Sequence, residues 1–277
     1  VTPEKKFNDL LHEYNAEFLQ DFGHLSNLAR SVIDFKTEDE HLELIQQRTF
    51  IIWETFTGVL SLVALELLVS AFSHCRTVYE NVLSTLHLLH DKTRIKDYLD
   101  HAKVLAFELN ENFGRDAKEL DVVRPEYQAL KPTFLKGKKP LFWHKMSIWK
   151  LAEVVDVERN SALTEQVSPL GFFPGMQKTF YSEVSSIAHG EGFLGMRYGE
   201  KGWYYDVEHY NLDGIDGMAL NLSYSLVTIF LESVISHFKL PFEKELAAVN
   251  AINKKHLTIE NKENAAGQGV QPGSPTT

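Results

Sequence analysis

Cysteine is nearly missing from this sequence: Cys75 stands alone among 277 residues. That excludes a disulfide framework and a cysteine-rich zinc site, and it fits a reducing, cytoplasmic compartment. Basic charge is also short. Lysine and arginine total 28 against 38 aspartates and glutamates, a net charge of −10. Such a balance provides no overall basic footprint for nucleic acid, though a local basic groove remains compatible with it. No Gly-rich loop links a strand pattern to a helix pattern, so a Rossmann or P-loop nucleotide fold is not expected. The start, Val1-Thr2-Pro3-Glu4-Lys5-Lys6, has no hydrophobic segment behind it and no initiator Met. No signal peptide is expected, and the start reads as processed. The most apolar stretch, residues 55–72, contains Gly58 and Glu66. A charge near its centre would be costly in lipid, so the expectation is a buried core helix and no membrane span.

What is there is mostly helix. The chain is 44% apolar, enough for a sizeable core. Thr2-Pro3 is a good helix start, and Phe7, Leu10, Leu11, Tyr14, Phe18, Phe22, Leu25 and Leu28 follow with helical spacing. Gly23 is expected to break that helix in two. Thr37-Glu38-Asp39-Glu40 reads as a capping box before a second helix. A long apolar helix is expected over 61–90, with Asp91 capping the next and Gly114 stopping it. Residues 115–130 read as helical only after Pro125. Ser147 caps a helix through Val155, and Pro174 opens another that stops at Gly190. Aromatic residues around Gly199-Glu200-Lys201-Gly202 predict a small β-hairpin near 196–205. A last long helix spans 215–238, and Pro241 ends it or begins a short helix to Lys254. The fold class is therefore an all-α multi-helix bundle with a minor β insertion. Residues 1–36 read as an N-terminal helical segment, 37–258 as the main domain, and 259–277 as a polar, disordered tail.

Three stretches can carry chemistry. Tyr181, Ser185 and His189 recur every fourth residue and share one helix ridge. His189 reads either as a capping histidine or as a general acid/base. On the 61–90 helix, Arg76 and Glu80 are four apart, at the edge of the apolar stripe together with His87. They read either as a structural ion pair or as an anion-holding arginine oriented by its glutamate. Ridge and pair together make a five-residue polar cluster, expected across two helices. The third stretch, residues 131–150, has six lysines and no acidic residue. Lys136, Lys138, Lys139 and Lys145 with Trp143 would grip and stack nucleic acid, or else form a solvated loop anchored by its aromatics. His87 and His90 have no third ligand at a recognisable spacing, so no metal site is expected, and no cofactor. Cys75 beside Arg76 is either an activated thiol or an inert buried one.

Three blocks occur in a familiar order: Arg76-Thr77-Val78-Tyr79-Glu80, then Phe142-Trp143-His144-Lys145-Met146-Ser147-Ile148-Trp149-Lys150-Leu151-Ala152-Glu153, then Tyr181-x-x-x-Ser185-x-x-x-His189-Gly190. Over residues 42–238 they resemble a family of bacterial helical domains of unknown function. More distantly, the chain is similar to the HEPN superfamily of metal-independent ribonucleases and binding proteins of toxin and anti-phage systems. Active HEPN domains carry an Arg separated from the His by four to six residues; here Ser182, Glu183 and Val184 occupy those places. The resemblance implies RNA as a partner, and a homodimer or a partner protein. It leaves Arg76, from another helix, to supply the cation. Its rival is a non-catalytic interaction module whose Arg-Glu-His network is structural.

Overall fold

The computed structural model of the chain describes residues 16–65, 67–114, 117–136, 139–160, 172–181, 196–199, 202–205 and 215–252. The predicted helix start at Thr2-Pro3 and the polar tail lie outside these residues. The architecture is all-α. Helices α1 (Ala16–Ile33), α2 (Glu40–Ala64), α3 (Leu68–His90), α4 (Ile95–Asn112), α5 (Ala117–Leu130), α6 (Ile148–Asn160), α7 (Phe172–Met176) and α8 (Ile215–Phe238) follow in order. A short α9 spans 243–252. Two small hairpins interrupt them. Strands β1 (Leu135–Lys136) and β2 (Lys139–Pro140) pair antiparallel, and so do β3 (Met196–Gly199) and β4 (Gly202–Tyr205). The second hairpin is the predicted one, with Met196 opposite Tyr205 and Gly199 opposite Gly202.

The chain divides into two compact units. One comprises 1–38, 46–82 and 182–277, the other 39–45 and 83–181. In the first unit, α1 and α8 pack together. Leu25 and Leu28 of α1, Phe56 of α2, Val78 and Tyr79 of α3, and Phe230 and Leu231 of α8 are fully buried. Phe22 stacks on Trp53, with ring centroids 5.2 Å apart. The Gln46 amide donates to the carbonyls of Val32 and Phe35 (2.9 and 2.6 Å), satisfying the frayed end of α1. One helix among the described residues is long and apolar enough to cross a membrane, Ala219–Phe238, and 67% of that window is buried inside the protein. Residues 55–72, the stretch singled out by composition, are not one continuous helix.

Several boundaries differ from the sequence expectation. The 61–90 helix is two elements. The Leu67 N–H turns back to the Leu62 carbonyl (2.8 Å), a wide turn that closes α2 before α3 begins. Gly23 does not break α1, which runs through it. Asp39, not Thr37, caps α2: its Oδ1 accepts from the N–H groups of His41 (2.8 Å) and Leu42 (3.4 Å). Helix α5 is continuous through Pro125. Pro174 does not open its helix but sits inside α7, which starts two residues earlier.

The second unit is built around the α4–α5 hairpin. Gly114 takes φ +69° in the turn, the left-handed conformation that ends α4. Phe107 stacks on Tyr127 at 4.0 Å, and Lys103 pairs with Glu126 (2.7 Å) and Arg124 with Glu111 (3.2 Å) along the seam. The cap at Asp91 is as expected, its Oδ1 accepting from the Thr93 N–H at 2.9 Å. Ser147 caps α6 through Oγ, 3.2 Å from the Lys150 N–H. The buried Asp156 carboxylate accepts from the N–H groups of Phe172 (2.9 Å) and Phe173 (3.2 Å), which fastens the start of α7 to α6.

Candidate functional site

The predicted site residues fall into three groups. Arg76 and Glu80 belong to the first unit, one turn apart on α3. Arg76 Nε donates to Glu80 Oε1 at 2.9 Å, with the side chains 27% and 30% exposed. Buried Cys75, Val78 and Tyr79 set this register, because their apolar side chains fix which face of α3 turns inward. A partly exposed pair at this spacing contributes about 0.3–0.5 kcal/mol, so it orients the helix edge more than it stabilises it. Beside it, Arg48 of α2 donates to Asn81 Oδ1 at 2.6 Å.

The second group is the ridge. Tyr181 is half-buried and belongs to the second unit. It closes a π-helical turn, Gln177–Tyr181, that follows α7 directly. The ridge thus begins on wider winding than the α-helix assumed from its spacing. Ser185 and His189 lie outside the described residues.

The basic stretch forms the third group. Lys136 is exposed and pairs with Lys139 across the first hairpin, while Lys138 lies outside the described residues. Lys145 Nζ sits 3.3 Å from Asp97 and 5.2 Å from the centre of the Phe134 ring. Lys150 pairs with Glu153 at 2.9 Å. The sequence run without acids is therefore met by acids from neighbouring turns and helices. Trp143 corrects the expectation of a stacking surface. It is only 6% exposed, and its Nε1–H donates to Ser84 Oγ at 2.9 Å. Its ring lies 5.6 Å from His87 and 5.8 Å from Tyr98. Burial of so large a ring anchors the loop. The exposed aromatics of this stretch are Phe142 and Trp149.

Sequence spacing grouped His87 with Arg76 and Glu80, but its partners are Arg94 and Glu158. Arg94 Nη1 lies 2.7 Å from both His87 Nδ1 and the His87 carbonyl oxygen. Arg94 Nη2 donates to Glu158 Oε1 at 2.7 Å, and Glu158 Oε2 lies 3.3 Å from His87 Nδ1. Burial would raise the Glu158 carboxyl; hydrogen bonds from His87 and Arg94 outweigh it and hold the group below its ordinary value. Nearby, burial pushes the His144 imidazole down to about 4, helped by the charges of His87 and His101. Burial likewise lowers His101, whose Nε2 contacts the Leu141 carbonyl at 3.1 Å. Arg94 and Glu158 carried no sequence signal: Arg94 reaches back to His87 from the short turn at 92–94, and Glu158 meets it only through the packing of α6.

Cys75 is the inert thiol of the two alternatives. Burial pushes it up to about 12, opposed by a hydrogen bond from Ser223 Oγ at 3.2 Å. Among the described residues no group of three or more His, Cys, Asp or Glu is placed to hold a metal ion. Compared with family models, curated proteins and solved structures, the chain matches none.

Proposed function

We propose that the chain is a HEPN-like helical protein acting in the cytoplasm as a non-catalytic interaction module, with its Arg-Glu-His contacts holding helices in place. One observation carries this reading: two of the described candidate cations are engaged by carboxylates, Arg76 by Glu80 at 2.9 Å and Lys145 by Asp97 at 3.3 Å. A cation already matched to a carboxylate must give up that bond before it can hold a phosphate. Its partner under this reading is another protein.

A second reading is supported by the exposure of Arg76, whose side chain is 27% open to solvent and within reach of a phosphate. In that reading the chain is a metal-independent endoribonuclease of a bacterial defence or toxin system. The RNA 2′-hydroxyl oxygen attacks the adjacent phosphorus and the bond to the 5′ oxygen breaks, giving a 2′,3′-cyclic phosphate. His189 moves the proton, Arg76 stabilises the phosphate charge, and Tyr181 and Ser185 position it.

Wild type and His189→Ala separate the two. The interaction reading expects no RNA cleavage by the wild-type chain and a lowered melting temperature in the variant. Cleavage by the wild type, abolished in His189→Ala at an unchanged melting temperature, would overturn it in favour of the nuclease.

A further inference from the structure

Helix α4 has two apolar faces, and only one of them is covered. Val104 and Phe107 are buried toward the rest of the second unit. The opposite face presents Ile95, Leu99, Ala102, Ala106, Leu109 and, just past the helix end, Phe113. Successive steps along this row are 4, 3, 4, 3 and 4 residues. That alternation is the 3.5-residue repeat of a coiled-coil seam, which exists to meet another helix. A face turned only to water would carry charged and polar side chains. Here Leu99 is 46%, Leu109 55% and Phe113 84% exposed, and both alanines are exposed too.

We propose that this seam joins two copies of the chain through an antiparallel pair of α4 helices, related by a two-fold axis at Val104. The row is its own complement when reversed. Counting from residue 104, Ala102 lies opposite Ala106, Leu99 opposite Leu109, and Ile95 opposite Phe113. Each layer thus sets an a position against a d position. The two alanines at the centre let the helices approach closely, and the larger side chains close the ends. Antiparallel packing also opposes the helix dipoles, whereas a parallel pair would align them.

Both flanks of the seam agree. On one side, Leu105 (46% exposed) meets the same leucine of the second copy across the axis. On the other, Lys103 holds Glu126 of α5 at 2.7 Å, with both side chains about half exposed. Across the axis, two such pairs form a ring of alternating sign, each lysine beside the other copy's glutamate. The flank charges are therefore complementary without rearrangement. A helix of 18 residues is about 27 Å long. A single seam of that length sits at the small end of protein interfaces, so the dimer is expected to dissociate on dilution. Nothing in this pairing depends on whether the chain cleaves RNA.

Sedimentation of the full chain from low to high micromolar concentration tests the proposal. The wild type should shift from monomer to dimer. Leu109→Glu should weaken pairing at least ~10-fold with an unchanged far-ultraviolet circular dichroism spectrum, because it places two like charges in an apolar layer. Cys75 is fully buried, so an introduced surface thiol is the reactive one. Leu105→Cys should give a covalent dimer with a short thiol-to-thiol cross-linker. Val157→Cys, on the exposed side of α6, should not. A wild type that stays monomeric, a dimer that survives Leu109→Glu, or cross-linking through Val157→Cys in place of Leu105→Cys would overturn the proposal.

Discussion

His144 shows how a single half-buried ring ties stability to acidity. It stacks on Phe142, with ring centroids 5.3 Å apart, and its Nδ1 accepts from the Met146 N–H at 3.2 Å. Protonation would remove that acceptor and charge a desolvated ring near His87 and His101. The folded chain therefore holds His144 neutral down to about pH 4, against 6.5 for the free group. The unfolded chain takes up the proton first. Stability from this group is complete above pH 6.5 and is lost as pH falls from there toward 4. After discounting for the part of the ring that solvent reaches, the loss between pH 7 and pH 5 is about 1 kcal/mol. His144→Asn keeps an acceptor for Met146 but cannot protonate. His101 is lowered in the same direction and stays in the variant, so the difference isolates His144. Melting curves at pH 7 and pH 5 should show the variant losing ~2–4 °C less than the wild type. Glu158, held low by His87 and Arg94, contributes stability above the ordinary carboxylate range that is lost only at lower pH.

At the scale of elements, the signals that were legible are local ones. Asp91, Ser147 and Gly114 each act within a few residues of the boundary they set, and each does what its type predicts. The Arg76–Glu80 pair was readable for the same reason, since four residues on a helix bring two side chains together whatever surrounds them. The break between α2 and α3 was not readable, because the turn that makes it uses backbone atoms of Leu62 and Leu67 and needs neither glycine nor proline. Nor were the partners of His87, with Arg94 seven and Glu158 seventy-one residues away. The π-helical turn ahead of Tyr181 also had no side-chain signature. Pro125 is the clearest conflict between local preference and structure. It lacks the N–H that would bond the Asp121 carbonyl, and its ring crowds that oxygen, yet α5 continues through it. Because Pro125 is exposed, its replacement disturbs no core packing. Pro125→Ala is expected to stabilise the chain by about 1–3 kcal/mol and to raise helicity, read from denaturant midpoints and far-ultraviolet circular dichroism. A lower midpoint would mean that the proline holds α5 in a bend that its contacts with α4 require.

For the molecule as a whole, charge decides what it can bind. A net charge of −10 repels a nucleic-acid backbone at long range, so RNA binding would need a local patch strong enough to overcome it. The 131–150 stretch is the candidate, and its lysines look unopposed in the sequence. In the fold, Lys131 sits 3.1 Å from Glu108, Lys145 3.3 Å from Asp97 and Lys150 2.9 Å from Glu153. Trp143, the aromatic expected to stack bases, is shut inside the second unit. Among the described residues of the patch, Lys136 is exposed, with Phe142 and Trp149 as accessible rings. Each phosphate contact steepens the fall of affinity with salt by about one unit of log–log slope. A protein of net charge −10, three of whose six lysines in this stretch sit beside its own carboxylates, should show a slope of roughly 2 or less by that measure. Replacing Lys136, Lys138 and Lys139 together with Glu should accordingly leave the affinity for single-stranded RNA at low salt unchanged, measured by fluorescence anisotropy. A loss of ten-fold or more, about 1.4 kcal/mol, would show instead that the hairpin grips the backbone despite the acidity around it. It would also bring back the RNA-directed reading that the paired lysines now argue against.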